Sequence, residues 1–258
     1  MAGFLFDEIV FGPVKSRRFG TSLGINLLPT TYKFCTFNCI YCECGWTTVD
    51  VSKPVQWYSR DTIRNSLDQH LIDMKERDAA PDNITFAGNG EPTLHPEFAK
   101  IITDCIMLRD IHFPNAKITV LSNSTTLDNE EIFNALYKID NNVLKLDAGT
   151  EAIFGQMNRP LIHITIEKIV ENLSRFKGRL IIQSMFLKGK VNEEIVDNTI
   201  SSEVKIWLQH LQKIQPSLVM IYTIDRPTPS GHLEKITHEE LEKIALQVKN
   251  LGINAEVY

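Results

Sequence analysis

The strongest constraint on the fold is an alternation. Short, nearly continuous apolar runs recur along the chain, each followed by a stretch with helical periodicity. The runs are "GINLLP" (24–29), "NITFAG" (83–88), "KITVLS" (117–122), "NVLKLD" (142–147), "RLIIQSMF" (179–186) and "LVMIYTI" (218–224). A strand buried on both faces shows no polar alternation, so such runs point to a parallel sheet covered on both sides. Helical patterns occupy 60–77, 96–110, 127–139, 165–176, 197–214 and 237–252. Asp128 with Glu131 and Thr237 with Glu240 stand at capping-box spacing, and Gly252 suits a helix end. Six β–α units in series require parallel strands joined by right-handed crossovers. A doubly wound sheet and a barrel-like sheet both satisfy this order. "NAEVY" (254–258) adds a further short strand. No linker or low-complexity tract divides the chain. One domain is expected over 1–258: a loop extension over 1–23, a six-strand core over 24–236, and a helix with a short strand over 237–258.

The first residues, "MAGFLFDEIV", are broken by Asp7 and Glu8, with no basic residue ahead of them. Neither a signal peptide nor a transit peptide is expected. No apolar run reaches the ~18 residues of a membrane span, so a cytoplasmic protein with no membrane partner is expected. The net charge of −5 argues against broad nucleic-acid binding, which depends on neutralising phosphates. The densest basic patch is "KSRR" (15–18), which reads either as a solvated loop or as an anion clamp near an active site.

Polar, glycine-bearing segments follow the strands. A cysteine loop follows the first, "GNGEPTLHP" the second, "SNST" the third, "DAGT" the fourth and "TIDRPTP" the sixth. The carboxyl ends of parallel strands are where ligands gather in barrels and open α/β sheets. Several such segments on one rim predict a single site.

Four of the five cysteines stand in the loop "KFCTFNCIYCECGW": Cys35, Cys39, Cys42 and Cys44. In a reducing compartment such clustering points to metal or redox chemistry rather than disulfides. Zinc sites with four cysteines pair ligands from two separate knuckles, whereas here all four share one loop. Plant-type ferredoxins need a distant fourth cysteine. Cys105 is the only candidate, and it sits on the apolar stripe of a helix, where a buried structural thiol is expected. Three cysteines holding three irons of a [4Fe–4S] cube fit better, because the fourth iron stays open for a ligand. Cys44 is then left to pack or hydrogen-bond beside them.

Cys35, Cys39 and Cys42, with Tyr41 before the last, resemble the cluster motif of the radical S-adenosylmethionine (SAM) superfamily, Cys-x3-Cys-x-aromatic-Cys. "GNGEP" (88–92) is similar to the Gly-Gly-Glu segment of that superfamily, with Asn89 in place of a glycine. The resemblance implies a partial (β/α)6 TIM-like barrel. More of the chain is similar to the group containing the wyosine-base (4-demethylwyosine) synthetases of tRNA. The matching segments are "FGPVKSRRFGTSLGINLLP", "CTFNCIYCECG", "GNGEPTLHP", "LSNST", "KLDAG", "NRP" and "IYTIDRPTP". Those enzymes carry further cysteines for a second cluster, and here no cysteine precedes Cys35.

What this implies is an oxidoreductase- or lyase-type radical enzyme with two cofactors, a [4Fe–4S] cluster and SAM. Cys35, Cys39 and Cys42 would ligate the cluster, and its open iron would chelate SAM. An electron from a donor such as flavodoxin or ferredoxin would cleave SAM to a 5′-deoxyadenosyl radical that abstracts hydrogen from a substrate. The substrate is a tRNA, a peptide or a small molecule. The alternative is a non-catalytic iron–sulfur or zinc protein that transfers electrons or stabilises structure. Tyr41, Asn89, Gly90, Glu91, Ser122, Asn123 and Gln183 are expected at the cofactor. Gly90 would let backbone approach SAM closely and Glu91 would accept from its ammonium. Lys145 and Asp147 share one strand face, where two charges are costly unless paired or functional, and are expected to be catalytic. Arg226 and Arg17 would hold an anionic substrate group. Arg159, in "NRP", would act in the same way or else hold a turn, and His95 stands near the rim or caps a loop.

Overall fold

The computed structural model describes residues 3–16 and 18–258, so the expectation on Arg17 lies outside the described residues. An antiparallel hairpin, β1 (Val10–Ser16) and β2 (Gly20–Ile25), opens the sheet. Then β3 (Asn83–Phe86), β4 (Lys117–Ser122), β5 (Asn141–Lys145) and β6 (Ile181–Val191) follow β2 in parallel. Two short strands, β7 (Glu194–Asp197) and β9 (Leu233–Lys235), pair antiparallel with the outer end of β6. Between them in sequence, β8 (Leu218–Thr223) joins the inner end of β6 in parallel, and β10 (Ala255–Val257) joins β8. The order is β1-β2-β3-β4-β5-β6-β8-β10, with β1 and β10 as its two edges.

The described residues also form seven α-helices: α1 (Arg60–Glu76), α2 (Phe98–His112), α3 (Glu130–Lys138), α4 (Glu151–Met157), α5 (Ile166–Ser174), α6 (Ser201–Ile214) and α7 (His238–Lys249). Their starts follow from side chains that take otherwise unpaired backbone N–H groups. Ser59 caps α1, Thr165 caps α5, and Thr237 with Glu240 forms the expected capping box on α7. In α1 the buried positions Ile63, Leu67, Leu71 and Met74 recur at helical spacing and face the sheet. None of the described helices is long and apolar enough to cross a membrane.

Five of the six expected core strands are present, the first is displaced so that β2 ends at Ile25 and 26–29 lie outside it, and "NAEVY" contains β10. Three further expectations are corrected. Residues 1–23 are not a plain loop, because β1 and the start of β2 form the edge hairpin. Gly12 and Pro13 hid β1 in the sequence; an edge strand tolerates proline, and the pairing shifts register between Phe11 and Val14. Asp128 does not cap α3. Asn129 does, accepting from Glu131 N at 2.9 Å, while Asp128 pairs with Lys168 at 2.9 Å. Helix α4, capped by Thr150, stands where a plain strand end was expected.

One face of the parallel strands is sealed near their amino ends. Phe19, at the hairpin turn, packs with Val143 and Met220. Above it lie polar pairs, Ser22 with Thr85 and Thr119 with Asn83, each at 2.7 Å. The carboxyl ends of the same strands remain free to build a site.

Candidate functional site

The cysteine loop leaves β2 and is fastened on both sides by backbone pairing. On one side Phe34 N donates to Asn89 O at 2.8 Å and Glu91 N donates to Phe34 O at 3.1 Å, a parallel bridge to the segment after β3. On the other side Phe37 bridges Pro160, and Ile40 N donates to Met157 O at 3.0 Å, at the end of α4. The loop thus spans the rim between two strand ends. Gly90 makes the first contact possible. Its φ is +139°, and a Cβ there would stand 1.9 Å from Phe34 O. The close approach this glycine permits is therefore that of the cysteine loop's own backbone.

Cys35, Cys39, Cys42 and Cys44 line a cavity of about 230 Å³ with Tyr41, Gly90, Glu91, Ser122, Asn123, Lys145 and Gln183. Nine of the expected cofactor, metal and catalytic positions therefore meet one enclosure along with Tyr41. Gln183 and Lys145 are register partners on β6 and β5, which places them side by side. The sulfurs receive N–H donors: Cys35 from Phe37 N at 3.4 Å and Asn123 Nδ2 at 3.5 Å, Cys39 from Asn158 Nδ2 at 3.5 Å. Such donors suit thiolates that hold a cluster.

Protonation follows from burial and charge. Burial pushes the Cys35 thiol up to about 12. Cys42 is lowered to about 5, by a hydrogen bond from Cys44 first and then, against burial, by the Lys33 ammonium. Burial alone would lower Lys33, but the thiols Cys42, Cys35 and Cys39 outweigh it and raise it. Lys33 is buried and donates to Gly45 O at 3.1 Å. Sequence reasoning quoted Lys33 without giving it a role. The available signal was a lysine two residues before the first cysteine in an otherwise apolar, polar-neutral stretch.

Asp147 is 2 % exposed and its carboxylate is fully engaged. It accepts from the Tyr41 hydroxyl, from Asn158 Nδ2 at 2.8 Å and from Met185 N at 2.9 Å, with Lys145 Nζ at 3.4 Å. Lys145 Nζ also donates to the Tyr41 hydroxyl at 2.9 Å. Burial opposes the charge on Lys145, but Asp147 and its neighbours raise its pKa above the usual lysine value. Burial, with Asp147 next, pushes Tyr41 well up. The expected lysine–aspartate pair therefore exists. Its aspartate anchors Tyr41 beneath the loop, and its lysine faces the cavity. Asn158, in the quoted "NRP", was missed because only its arginine was weighed.

Glu91 is buried and serves its own segment: Oε1 accepts from Thr93 N at 3.1 Å and Oε2 from Asn123 N at 2.6 Å. Burial raises its pKa, against those hydrogen bonds. Ser122 Oγ accepts from Ser124 N at 3.1 Å. Asn89 is turned away from the cavity. Its side chain pairs with Phe6 N and Phe6 O, each at 2.8 Å, and with Pro29 O at 2.9 Å. Arg226 is outside the cysteine cavity, with a side chain 63 % exposed and paired to Glu43 at 2.9 Å. Cys44 Sγ contacts Gly88 O at 3.4 Å, and Cys105 is buried on α2. His95 is held by Tyr58 O at 3.0 Å and Glu97 N at 3.1 Å, and Arg159 stacks over Trp46, as loop residues do.

The donor set fits a [4Fe–4S] cluster. Three thiols, two of them with N–H donors, and a buried ammonium surround one cavity.

Comparison with known proteins defines the class. The model of the radical SAM superfamily matches residues 30–201, and the chain belongs to that superfamily, which uses a [4Fe–4S] cluster and SAM. A UPF0026 protein of Methanocaldococcus jannaschii is 32% identical over 241 residues, which cover 92% of this chain and 70% of that protein. Among solved structures, a radical SAM methyltransferase from Sphaerobacter thermophilus superposes with a TM-score of 0.68 at 13% identity, over 92% of this chain and 65% of that one. An archaeal TYW1 superposes with a TM-score of 0.55 at 14% identity, over 89% and 71%. These likenesses establish an α/β fold of the partial-barrel kind.

Proposed function

We propose that this chain holds one [4Fe–4S] cluster on Cys35, Cys39 and Cys42 and reductively cleaves SAM, so that hydrogen is abstracted from a substrate. The observation that carries this reading is the single cavity joining the three thiols to Glu91, Ser122, Asn123, Lys145 and Gln183. When bound, the reduced cluster and SAM together supply a carbon-centred radical. The chain's own residues prepare for it. Lys33 offsets the negative charge of the thiolates. Asn123 and Asn158 hold two of the sulfurs by N–H donation. Glu91, Ser122 and Asn123 line the part of the cavity where the polar groups of SAM would lie, their own hydrogen bonds holding that wall in place. Tyr41, fixed by Asp147 and Lys145, walls the cavity. Flavodoxin or ferredoxin suits the role of external donor.

The segments shared with the wyosine-base synthetases support tRNA modification as the finer form of this activity. The net charge of −5 weighs against it, and we prefer a small-molecule substrate. The test is 5′-deoxyadenosine formation by anaerobically reconstituted, reduced protein with SAM, beside Cys39→Ala. Product from the wild type only is expected. A full iron and sulfide complement with neither product nor a SAM-dependent spectral change would leave the non-catalytic cluster protein instead.

A further inference from the structure

A second cavity, of about 440 Å³, adjoins the cysteine cavity, and Tyr41 and Tyr222 line both. It lies where the sheet is open, between Lys15 of β1 and Tyr258, just beyond β10. Its volume falls within the ~300–1,000 Å³ of small-molecule sites.

Its walls are of two kinds. The N-terminal segment supplies aromatic rings. Phe6 and Phe11 stack with centroids 3.8 Å apart, and Phe4 meets Phe6 edge-on at 5.0 Å. The other wall is charged: four cationic side chains, Lys15, Arg18, Arg226 and Lys235, face two carboxylates, Glu43 and Asp225. Glu43 pairs with Arg226 and Asp225 with Lys235, each at 2.9 Å. Among the described residues Lys15 and Arg18 have no carboxylate partner.

Arg18 is the decisive residue. Its backbone N donates to Ser16 Oγ at 3.2 Å, which fixes the turn. Its guanidinium lies over Phe19 at 5.7 Å and over Tyr222 at 5.5 Å. Its Nη1 is buried with no hydrogen-bond partner, and it is the one such side-chain atom among the described residues. A buried donor left unmatched is destabilising, more so when it carries charge. Stacking on two rings does not satisfy it. A ligand oxygen does, and a guanidinium favours a carboxylate or phosphate.

On the reading that this is a radical SAM enzyme, we propose that this cavity is its substrate chamber. It takes a small molecule whose anionic group, a phosphate or carboxylate, sits on Arg18 and Lys15 and whose planar ring packs among the N-terminal aromatics. Arg18 and the aromatic segment then set specificity, while the shared wall of Tyr41 and Tyr222 brings the ring beside the cofactor cavity.

The experiment is calorimetric titration of anaerobically reconstituted protein, SAM present, with phenyl phosphate, benzoate and phenol. Both anions are expected to bind at least about tenfold more tightly than phenol. Arg18→Gln is expected to erase that preference and Arg18→Lys to restore part of it, with melting temperature and iron content confirming the fold of each. Phosphate outcompeting benzoate assigns a phosphate monoester as substrate, and the reverse a carboxylate. Equal binding of phenol, an anion preference untouched by Arg18→Gln, or no binding of either anion in the millimolar range overturns the proposal. So does a tRNA transcript that binds through Arg18 when neither small anion does. Wild type that forms 5′-deoxyadenosine yet shows no anion preference refutes the chamber alone. Wild type without SAM response refutes the underlying reading.

Discussion

Lys33 and Gly90 carry the most testable chemistry at the scale of single residues. Lys33 is a buried ammonium among thiols, so its charge acts with little screening. Reduction adds negative charge to the cluster, and a nearby cation favours it. Lys33→Gln should therefore lower the midpoint potential of the reconstituted cluster by tens of millivolts, read by a redox titration followed by electron paramagnetic resonance. An unchanged or raised potential would show that Lys33 serves only to tie the loop to Gly45. Gly90→Ala tests the seam beside it. The new Cβ would meet Phe34 O at 1.9 Å from a backbone at φ +139°. Strain there costs about 1–3 kcal/mol before the clash is counted. The expected result is a lower melting temperature together with loss of iron per chain. A variant that melts lower yet keeps its full iron would separate Gly90 from the cluster loop.

Elements explain what the sequence disclosed and what it hid. Five of the six core strands and most helices were legible because burial on both faces leaves long apolar runs, and helix caps use few residue types. Hairpin strand β1 was hidden by Gly12, Pro13 and its exposed positions. The cysteines were legible from spacing alone, and Gln183 from its place on β6. Asn158 and Arg18 were not, because their partners lie far away in sequence: Asn158 reaches Asp147 and Cys39, and Arg18 reaches Tyr222. Asn89 shows how a correct position can take an unexpected role. Residue type and place both suggested the cofactor, yet its side chain pairs with Phe6 like a strand edge. The N-terminal segment is thereby strapped over the rim, helped by Phe4 N donating to Glu43 O at 2.8 Å. Asn89→Ala removes three hydrogen bonds, a net loss of about 2 kcal/mol. Hydrogen exchange should accelerate at residues 4–7 first, ahead of any change in the core strands. Uniform acceleration across the sheet would mean that Asn89 supports the barrel rather than the strap.

At the scale of the whole molecule, the question is whether the fold depends on its cluster. Small zinc domains unfold without metal because the metal replaces a core. This chain has a core of its own, with Trp207, Phe86, Phe98, Phe176 and Phe186 fully buried between helices and sheet. The cysteine loop is also fastened by backbone pairs to the segments after β3 and α4, none of which needs a metal. Burial pushes Cys35 up to about 12, so without iron it stays a neutral thiol at neutral pH and leaves no unpaired charge inside. Removing iron with a chelator should therefore preserve the far-ultraviolet circular dichroism and a cooperative thermal transition. The transition should fall by several degrees, because a ligand that binds only the native state stabilises it by mass action. Faster exchange should be confined to residues 33–46 and the two segments that clamp them. Unfolding of the parallel strands on chelation would refute this picture and make the cluster a structural member of the barrel.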